Sequence, residues 1–373
     1  MKILALISDA YGGRGGIALY NRNFLRALCE HPQVVQVIAI PRVITYDPEE
    51  ALPSKLRYLT EATGSKLNYL GTCLKVAARE RNIDLIICGH LHLLPFAFLF
   101  RSVLKAPVLP IVYGVEAWNP TQHRSANFLC RKLDAFISIR TFTAQQFIEW
   151  AGIDRAKYYY LPNCIEESRY GVAPKRSDLQ ECYGIKNRTV IMTAGRLDTV
   201  DMERNKGFDE VLEVLPELRE EIPDIVYLIM GDGDDSERLA HKARFLGVED
   251  IVRFTGYIPE RDKADHYRLA DVFAMPGSNR HFDRYPFRFV FLEALACGVP
   301  VVGCRLEDKS EAHDPCANQL IIQVDPNSKE DIKRGILSAL KQRAGHRTGI
   351  ENFYYPAFKS KVHDIINNYT FTV

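Results

Sequence analysis

The sequence predicts an α/β protein of two doubly wound domains, and three observations carry that expectation. Short β-branched apolar runs alternate with helical periodicity, the pattern restarts near residue 170, and 373 residues exceed what one hydrophobic core ordinarily organises. In the first half the strand-like runs are 2–8, 34–40, 84–88, 107–112 and 135–139. Each is apolar throughout instead of alternating, which predicts helices over both faces of the sheet. Helices are expected over 19–28 and around Leu67, Leu70, Leu74 and Ala77, which recur at helical spacing. Residues 157–161 and Pro162-Asn163-Cys164 close this half, and the polar, proline-containing stretch 166–178 reads as the joint. The second half starts again with runs at 189–193, 225–230, 251–254, 271–275 and 300–303. The aromatic-rich segment 353–369 reads as a short helix. The expected domains are therefore 1–168 and 169–350, with a C-terminal helix in 351–373 whose packing on the first domain is left open.

Composition narrows the function classes. A net charge of +1 gives nucleic-acid binding no electrostatic support. Residues 1–168 hold 19 Lys and Arg against 14 Asp and Glu, and the remainder 29 against 33, so a mildly basic half precedes a mildly acidic one. The nine cysteines include no Cys-x-x-Cys pair and several lie in apolar runs, as buried thiols of a reducing, cytoplasmic protein would. The apolar start at 1–7 is ended by Asp9 and a glycine loop, and reads as a buried strand, not a leader. The longest apolar stretch, 91–104, is broken by Pro95 and Arg101, short of the roughly 18 residues a membrane span requires.

Two constellations carry chemistry. The loop Gly12-Gly13-Arg14-Gly15-Gly16-Ile17-Ala18 follows the first strand and opens a helix, where backbone N–H groups and the helix dipole suit an anion. Gly13, Gly15 and Ala18 also match a dinucleotide fingerprint, but the second strand ends in Arg42 where an acidic residue is wanted; an NADP-dependent oxidoreductase stays an alternative. In the second half Ala194-Gly195-Arg196-Leu197 ends the restarted first strand, and Lys206-Gly207 follows. A planar guanidinium and a mobile ammonium suit two linked phosphates.

The order of Arg196, Lys206, Gly231-Asp232-Gly233, the segment 252–259 and the segment 291–302 resembles the nucleotide-sugar-binding domain of retaining glycosyltransferases of family 4. The first half adds its glycine loop and Tyr113-Gly114-Val115-Glu116-Ala117-Trp118. The resemblance implies the GT-B fold, two Rossmann-like domains facing across a cleft, and a metal-independent enzyme. That enzyme moves a sugar from a nucleotide-diphosphate donor, a UDP-sugar such as UDP-glucose, to a glycan or lipid-linked acceptor in polysaccharide or cell-envelope synthesis. No cofactor and no metal are expected. Arg196 and Lys206 would grip the diphosphate and, with Glu116, carry catalysis. Gly15, Gly16, Gly231, Tyr257, Ile258, Tyr285, Phe287, Arg288, Phe289 and Glu293 would complete the donor site, with Glu293 accepting from the ribose. His90, Tyr113, Glu116 and Trp118 would face the acceptor, His92 lying beside them. Asp232 and Asp234 mimic a metal-binding pair but read as turn residues.

The sequence also departs from the family pattern. Tyr285 stands where the first of two motif glutamates is expected, Pro286 and Arg288 replace flanking glycines, and Tyr113 replaces a histidine. A glycine pair is missing over 306–310, and Asp283 is a candidate substitute carboxylate. A catalytically impaired sugar-nucleotide-binding protein is therefore the second alternative. Lys66, Lys75, Arg79, Arg81, Arg101 and Lys105 leave a peripheral membrane contact open.

Overall fold

The computed structural model describes residues 1–13, 15–47, 51–80, 82–154, 157–197, 206–277, 289–305, 320–342 and 349–372. The chain divides into two compact units, one formed by Met1–Cys164 with Tyr355–Val373 and the other by Ile165–Tyr354.

In the first unit, all strand pairs are parallel and the sheet order is β3-β2-β1-β4-β5-β6-β7. The strands are β1 (Lys2–Ile7), β2 (Gln36–Pro41), β3 (Leu56–Tyr58), β4 (Leu85–Cys88), β5 (Val108–Val112), β6 (Phe136–Ser138) and β7 (Tyr158–Tyr160). Ile3 to Ile7 are all buried, as a central strand covered on both faces requires. Helices α1 (Gly16–Glu30), α2 (Lys66–Arg79), α3 (Leu94–Leu104), α4 (Arg124–Cys130) and α5 (Thr141–Ala151) fill the crossovers. The C-terminal helix Tyr355–Thr372 packs on α1 within this unit. Tyr20 meets Phe358 edge-on at 5.5 Å, Arg26 lies 4.0 Å over the Tyr355 ring, and the Ala27 carbonyl is 3.0 Å from His363 Nε2.

The face that α2 buries differs from the leucine repeat. Tyr69, Thr72, Cys73 and Val76 are buried, with Tyr69 edge-on to Phe96 at 5.3 Å. Leu67, Leu70 and Leu74 are 79%, 39% and 54% exposed. Two apolar stripes compete on this helix, and the one carrying the aromatic ring, the larger contact surface, faces the sheet.

In the second unit the order is β10-β9-β8-β11-β12-β13, again parallel throughout. The strands are β8 (Thr189–Ala194), β9 (Ile225–Met230), β10 (Val252–Phe254), β11 (Val272–Met275), β12 (Val301–Cys304) and β13 (Ile321–Val324). They alternate with α6 (Ser177–Cys182), α7 (Phe208–Glu221), α8 (Ser236–Phe245), α9 (Lys263–Tyr267), α10 (Phe289–Ala296) and the helix Lys329–Leu340. The doubly wound expectation thus holds in each unit. Each sheet reverses its winding at one place, between β1 and β4 and between β8 and β11. Ligands bind beyond the carboxyl ends of parallel strands at such switch points.

Among the described residues Cys29, Cys73, Cys88, Cys130, Cys164 and Cys297 are buried free thiols. No helix among them is long and apolar enough to cross a membrane.

Candidate functional site

At the switch point of the second sheet, β8 runs out into Gly195 and Arg196. The Gly195 amide donates to Met230 O at 2.9 Å, Leu197 N–H to Asp232 O at 2.9 Å, and Asp235 N–H to Leu197 O at 2.8 Å. These bonds stitch the turn after β8 to the turn after β9. The contact needs glycine at 231: its φ is +149°, and a Cβ there would stand 1.9 Å from the Gly195 carbonyl oxygen. Gly231 in turn bridges to Gly256 at the end of β10. Lys206 folds back over this tip. Its Nζ donates to Arg196 O at 2.6 Å, and its stem covers Gly195. Gly207 then lies against Pro276 and Gly277 at the end of β11. The carboxyl ends of four strands therefore converge with Arg196, which is exposed, and Lys206, which is half-buried. Tyr257, 54% exposed, follows Gly256, and Ile258 packs on the core beneath.

Glu293 sits on α10 with 2% exposure. Tyr170 donates to its Oε1 at 3.0 Å and Tyr267 to its Oε2 at 2.6 Å, while Lys263 Nζ stands 3.9 Å from Oε1 and 2.8 Å from Glu260. Burial opposes the charge on Lys263, but Glu293 and Glu260 outweigh it and hold its pKa above the usual value. Burial and the Glu293 charge push both tyrosine hydroxyls far up. The carboxylate expected to receive ribose hydroxyls is thus already engaged, and a ribose would have to use its remaining lone pairs. Tyr170, Lys263 and Tyr267 belong to no motif, and no spacing in the sequence links them to Glu293. Phe289 opens α10 and packs half-buried on the same core. Asp232 lends its carbonyl to the turn after β9, and Asp235, not Asp232, pairs with Arg238 at 2.6 Å. Among the described residues no three His, Cys, Asp or Glu side chains are grouped to hold a metal ion.

At the switch point of the first sheet, the glycine loop is braced from α1. Asn21 Nδ2 donates to Asp9 O at 2.7 Å, and Arg22 donates to Ala10 O at 3.2 Å and Gly13 O at 3.0 Å. Gly15 caps α1 at φ +95°, and nothing lies within 4 Å of where its Cβ would be; Gly16 is the first helical residue. Tyr113 is buried and donates to Asn21 Oδ1 at 2.6 Å. Glu116 Oε1 accepts from Tyr113 N–H at 2.6 Å and Gly114 N–H at 3.1 Å, capping its own turn. Trp118 donates to Thr143 Oγ1 at 3.1 Å and meets Phe142 edge-on, so its ring is engaged within the unit. His90 Nδ1 accepts from His92 N–H at 3.1 Å, which leaves Nε2 to carry the proton of the neutral ring. The His90 and His92 ring centroids are 4.7 Å apart, and His92 and His123 are 4.9 Å apart. Burial pushes both His90 and His92 below the usual imidazole range, and Glu116 only partly counteracts it.

Comparison with known proteins gives these sites a family. The profile of the glycosyl transferases group 1 matches residues 178–353, and that of Glycosyltransferase Family 4 matches 14–169. The GDP-mannose-dependent alpha-(1-6)-phosphatidylinositol monomannoside mannosyltransferase of Mycolicibacterium smegmatis is 30% identical over 315 residues, covering 81% of this chain and 80% of that one. Its Mycobacterium tuberculosis counterpart is 33% identical over 314 residues, with the same coverage. The chain belongs to the GT-B glycosyltransferases.

The solved structures agree on the fold. Anabaena HepE in complex with UDP superposes with a TM-score of 0.75 at 18% identity, covering 99% of this glycosyltransferase and 100% of that chain. Sucrose-phosphate synthase from Thermosynechococcus elongatus gives 0.74 at 17% identity, covering both chains completely. Family membership corrects the dinucleotide reading of the glycine loop, because an NADP oxidoreductase is not what these relatives are. Tyr285, Phe287 and Arg288, with Asp283, Pro286 and 306–311, lie outside the described residues.

Proposed function

We propose that this chain transfers a hexose from a nucleotide-diphosphate donor to a glycan or lipid-linked acceptor, with retention of anomeric configuration and without a metal. The single observation that carries the reading is the meeting of Arg196 and Lys206 with four glycine-lined strand ends at a switch point. As the glycosidic bond breaks, negative charge grows on the departing diphosphate. Cations fixed beside it then stabilise the transition state more than the ground state. The turns at Gly231 and Gly256 would let backbone approach the donor closely, and we assign the reading of the base to Tyr257-Ile258. Gly16 opens α1, whose first N–H groups have no partner within the helix, and at its cap Gly15 nothing lies within 4 Å of where a Cβ would be. Retention fits front-face attack, in which a donor phosphate oxygen helps to remove the acceptor proton.

For the donor we favour GDP-mannose over a UDP-sugar. The relatives that share 30% or more of their residues over most of the chain are named for GDP-mannose, whereas the UDP complex is of a protein only 18% identical. Those names also speak for a phosphatidylinositol-type acceptor at a membrane surface. The outward stripe of α2 supports such a contact. Leu67, Leu70 and Leu74 are exposed beside Lys66, Lys75 and Arg79, and Leu99 and Val103 are exposed on the neighbouring α3. Each such side chain left in water forgoes up to about 1.5–3 kcal/mol of burial, which a lipid surface would recover.

Calorimetric titration of the full chain with GDP, UDP, GDP-mannose and UDP-glucose, joined to a transfer assay with the product anomer read by NMR, tests the proposal. Tight binding of GDP-mannose with transfer is expected. Binding without transfer would leave the impaired-binder alternative, and no binding of any of the four would end the proposal.

A further inference from the structure

Among the described residues Glu293 is the least exposed carboxylate, and its partners set it apart. The other buried acids are answered by arginines, Asp235 by Arg238 at 2.6 Å and Asp331 by Arg305 at 3.1 Å. Glu293 is answered by two neutral hydroxyls, that of Tyr170 on Oε1 and that of Tyr267 on Oε2. The cation beside it, Lys263, stands 3.9 Å from Oε1, beyond hydrogen-bond distance, and is held by Glu260 at 2.8 Å. Burying a carboxylate against neutral donors is a costly way to fill a core, and it points to a task for the acceptor capacity that remains. A carboxylate accepts about four hydrogen bonds, so one hydroxyl on each oxygen leaves a lone pair on each. The two tyrosines arrive on separate pieces of backbone. Tyr267 ends α9, whereas Tyr170 lies in the irregular stretch that precedes α6. That stretch is fastened to α9 and to the residues after it. Arg268 Nε donates to Gly171 O at 2.8 Å, Arg176 pairs with Asp265 at 3.0 Å, and Lys175 pairs with Asp271 at 2.7 Å. The rings of Tyr170 and Tyr267 are 6.4 Å apart in one apolar core, so neither hydroxyl is free to swing away.

We propose that Tyr170 and Tyr267 are positioning residues for the donor: one hydroxyl on each oxygen fixes the plane of the Glu293 carboxylate and leaves one lone pair per oxygen for a vicinal diol. This rests on the donor reading, in which Glu293 accepts from the ribose, and names the residues that aim it. The last torsion of a glutamate side chain is broad, so an unassisted carboxylate would sample many planes. Two donors, one on each oxygen, remove that freedom before the donor arrives, and a ribose then loses less entropy on binding. A lysine in place of either tyrosine would hold the charge but not the plane, because an ammonium is a point donor on a flexible stem. The rigid rings, anchored in the core, hold both the charge and the plane.

The test titrates the full chain by calorimetry with GDP and UDP, each beside its 2′-deoxy and 3′-deoxy forms. Wild type should bind the ribose form about tenfold or more tighter than the deoxy forms, the worth of a hydrogen bond to a charged acceptor. Tyr170→Phe and Tyr267→Phe keep the ring and remove only the hydroxyl. In each variant that ratio should fall about threefold or more, because the ribose form loses affinity and the deoxy forms lose little. Inorganic pyrophosphate, which has no diol, should bind wild type and both variants alike. A merely structural role for the tyrosines would weaken all these ligands together and leave the ratio in place. An unchanged ratio in either folded variant overturns the proposal and leaves the donor reading standing. Binding by wild type without preference for the ribose forms takes Glu293 away from the ribose and the proposal with it. No binding of GDP or UDP by wild type overturns the donor reading and the proposal together.

Discussion

The Tyr113 hydroxyl donates to Asn21 Oδ1 at 2.6 Å, and the amide nitrogen of the same Asn21 donates to Asp9 O at 2.7 Å. One buried side chain thus ties the end of β5 to the start of the glycine loop. Tyr113 therefore has a structural task at the position where relatives are expected to carry a histidine. Tyr113→Phe removes the donor and strands a buried acceptor, at a cost of about 1–3 kcal/mol. A lower urea midpoint at unchanged m-value is the expected reading. An unmoved midpoint would mean that water replaces the hydroxyl without loss.

Lys206 can be removed without touching a core. Its side chain donates to the Arg196 carbonyl oxygen and covers Gly195, and the residue is half-buried. Lys206→Ala should lower kcat by about 10²–10³-fold, the usual consequence of deleting one charge-stabilising donor, with the melting temperature nearly unchanged. Lys206→Arg should restore part of the rate. Full turnover in a folded Lys206→Ala protein would remove the diphosphate assignment.

Two glycines at the donor side separate close packing from backbone conformation. At Gly231 both operate, because φ is +149° and a Cβ would collide with the Gly195 carbonyl. Gly231→Ala should cost at least about 2 kcal/mol and push the turns after β8 and β9 apart. At Gly256 φ is +70° and nothing lies within 4 Å. Gly256→Ala should cost only about 1–2 kcal/mol. Denaturation midpoints compare the two, and equal costs would show that the collision relaxes freely.

How much of this was legible in the sequence follows from what periodicity can and cannot carry. The long apolar runs announced the central strands of both sheets. β3 was missed because three residues after Pro53 present no repeat, and β13 because Ile321–Val324 is a four-residue run at the sheet edge. The leucine repeat announced helix α2 but not the face it buries, because hydrophobicity alone does not choose between two apolar faces. The places in the fold of residues fixed by local motif, Gly15 at the start of α1 and Arg196 beyond β8, were legible. The partners of Glu293 were not, because Tyr170 reaches it across 123 positions and Tyr267 from another helix. The cavity lined by Arg42, Lys66 and His90 escaped for the same reason, since these residues meet only once β1, β2 and β4 are side by side.

The histidine row of the first unit predicts a pH dependence of stability. His90 and His92 are pushed below the usual value by burial; His92 and Glu116 act on His90, and His123 and Glu116 act on His92. Arg42 and Lys66 line the same cavity. A histidine with a lowered pKa binds fewer protons folded than unfolded. Stability then rises with pH through the window between the folded and unfolded values, is complete above the unfolded value of about 6.5, and is lost below it. His31, depressed by burial and by His363, contributes with the same sign. Paired carboxylates such as Glu80 and Asp209 have lowered values, so their contribution is lost only at more acid pH, below about 4. The urea midpoint should therefore begin to fall on acidification past about pH 6.5, well before the carboxylates titrate. His90→Asn, which keeps a polar side chain at the cap of its turn, should flatten that first fall in part and leave the acid limb unchanged. A midpoint constant from pH 8 down to 5, or an unaltered first fall in the variant, would show that these imidazoles are neutral for reasons that folding does not supply.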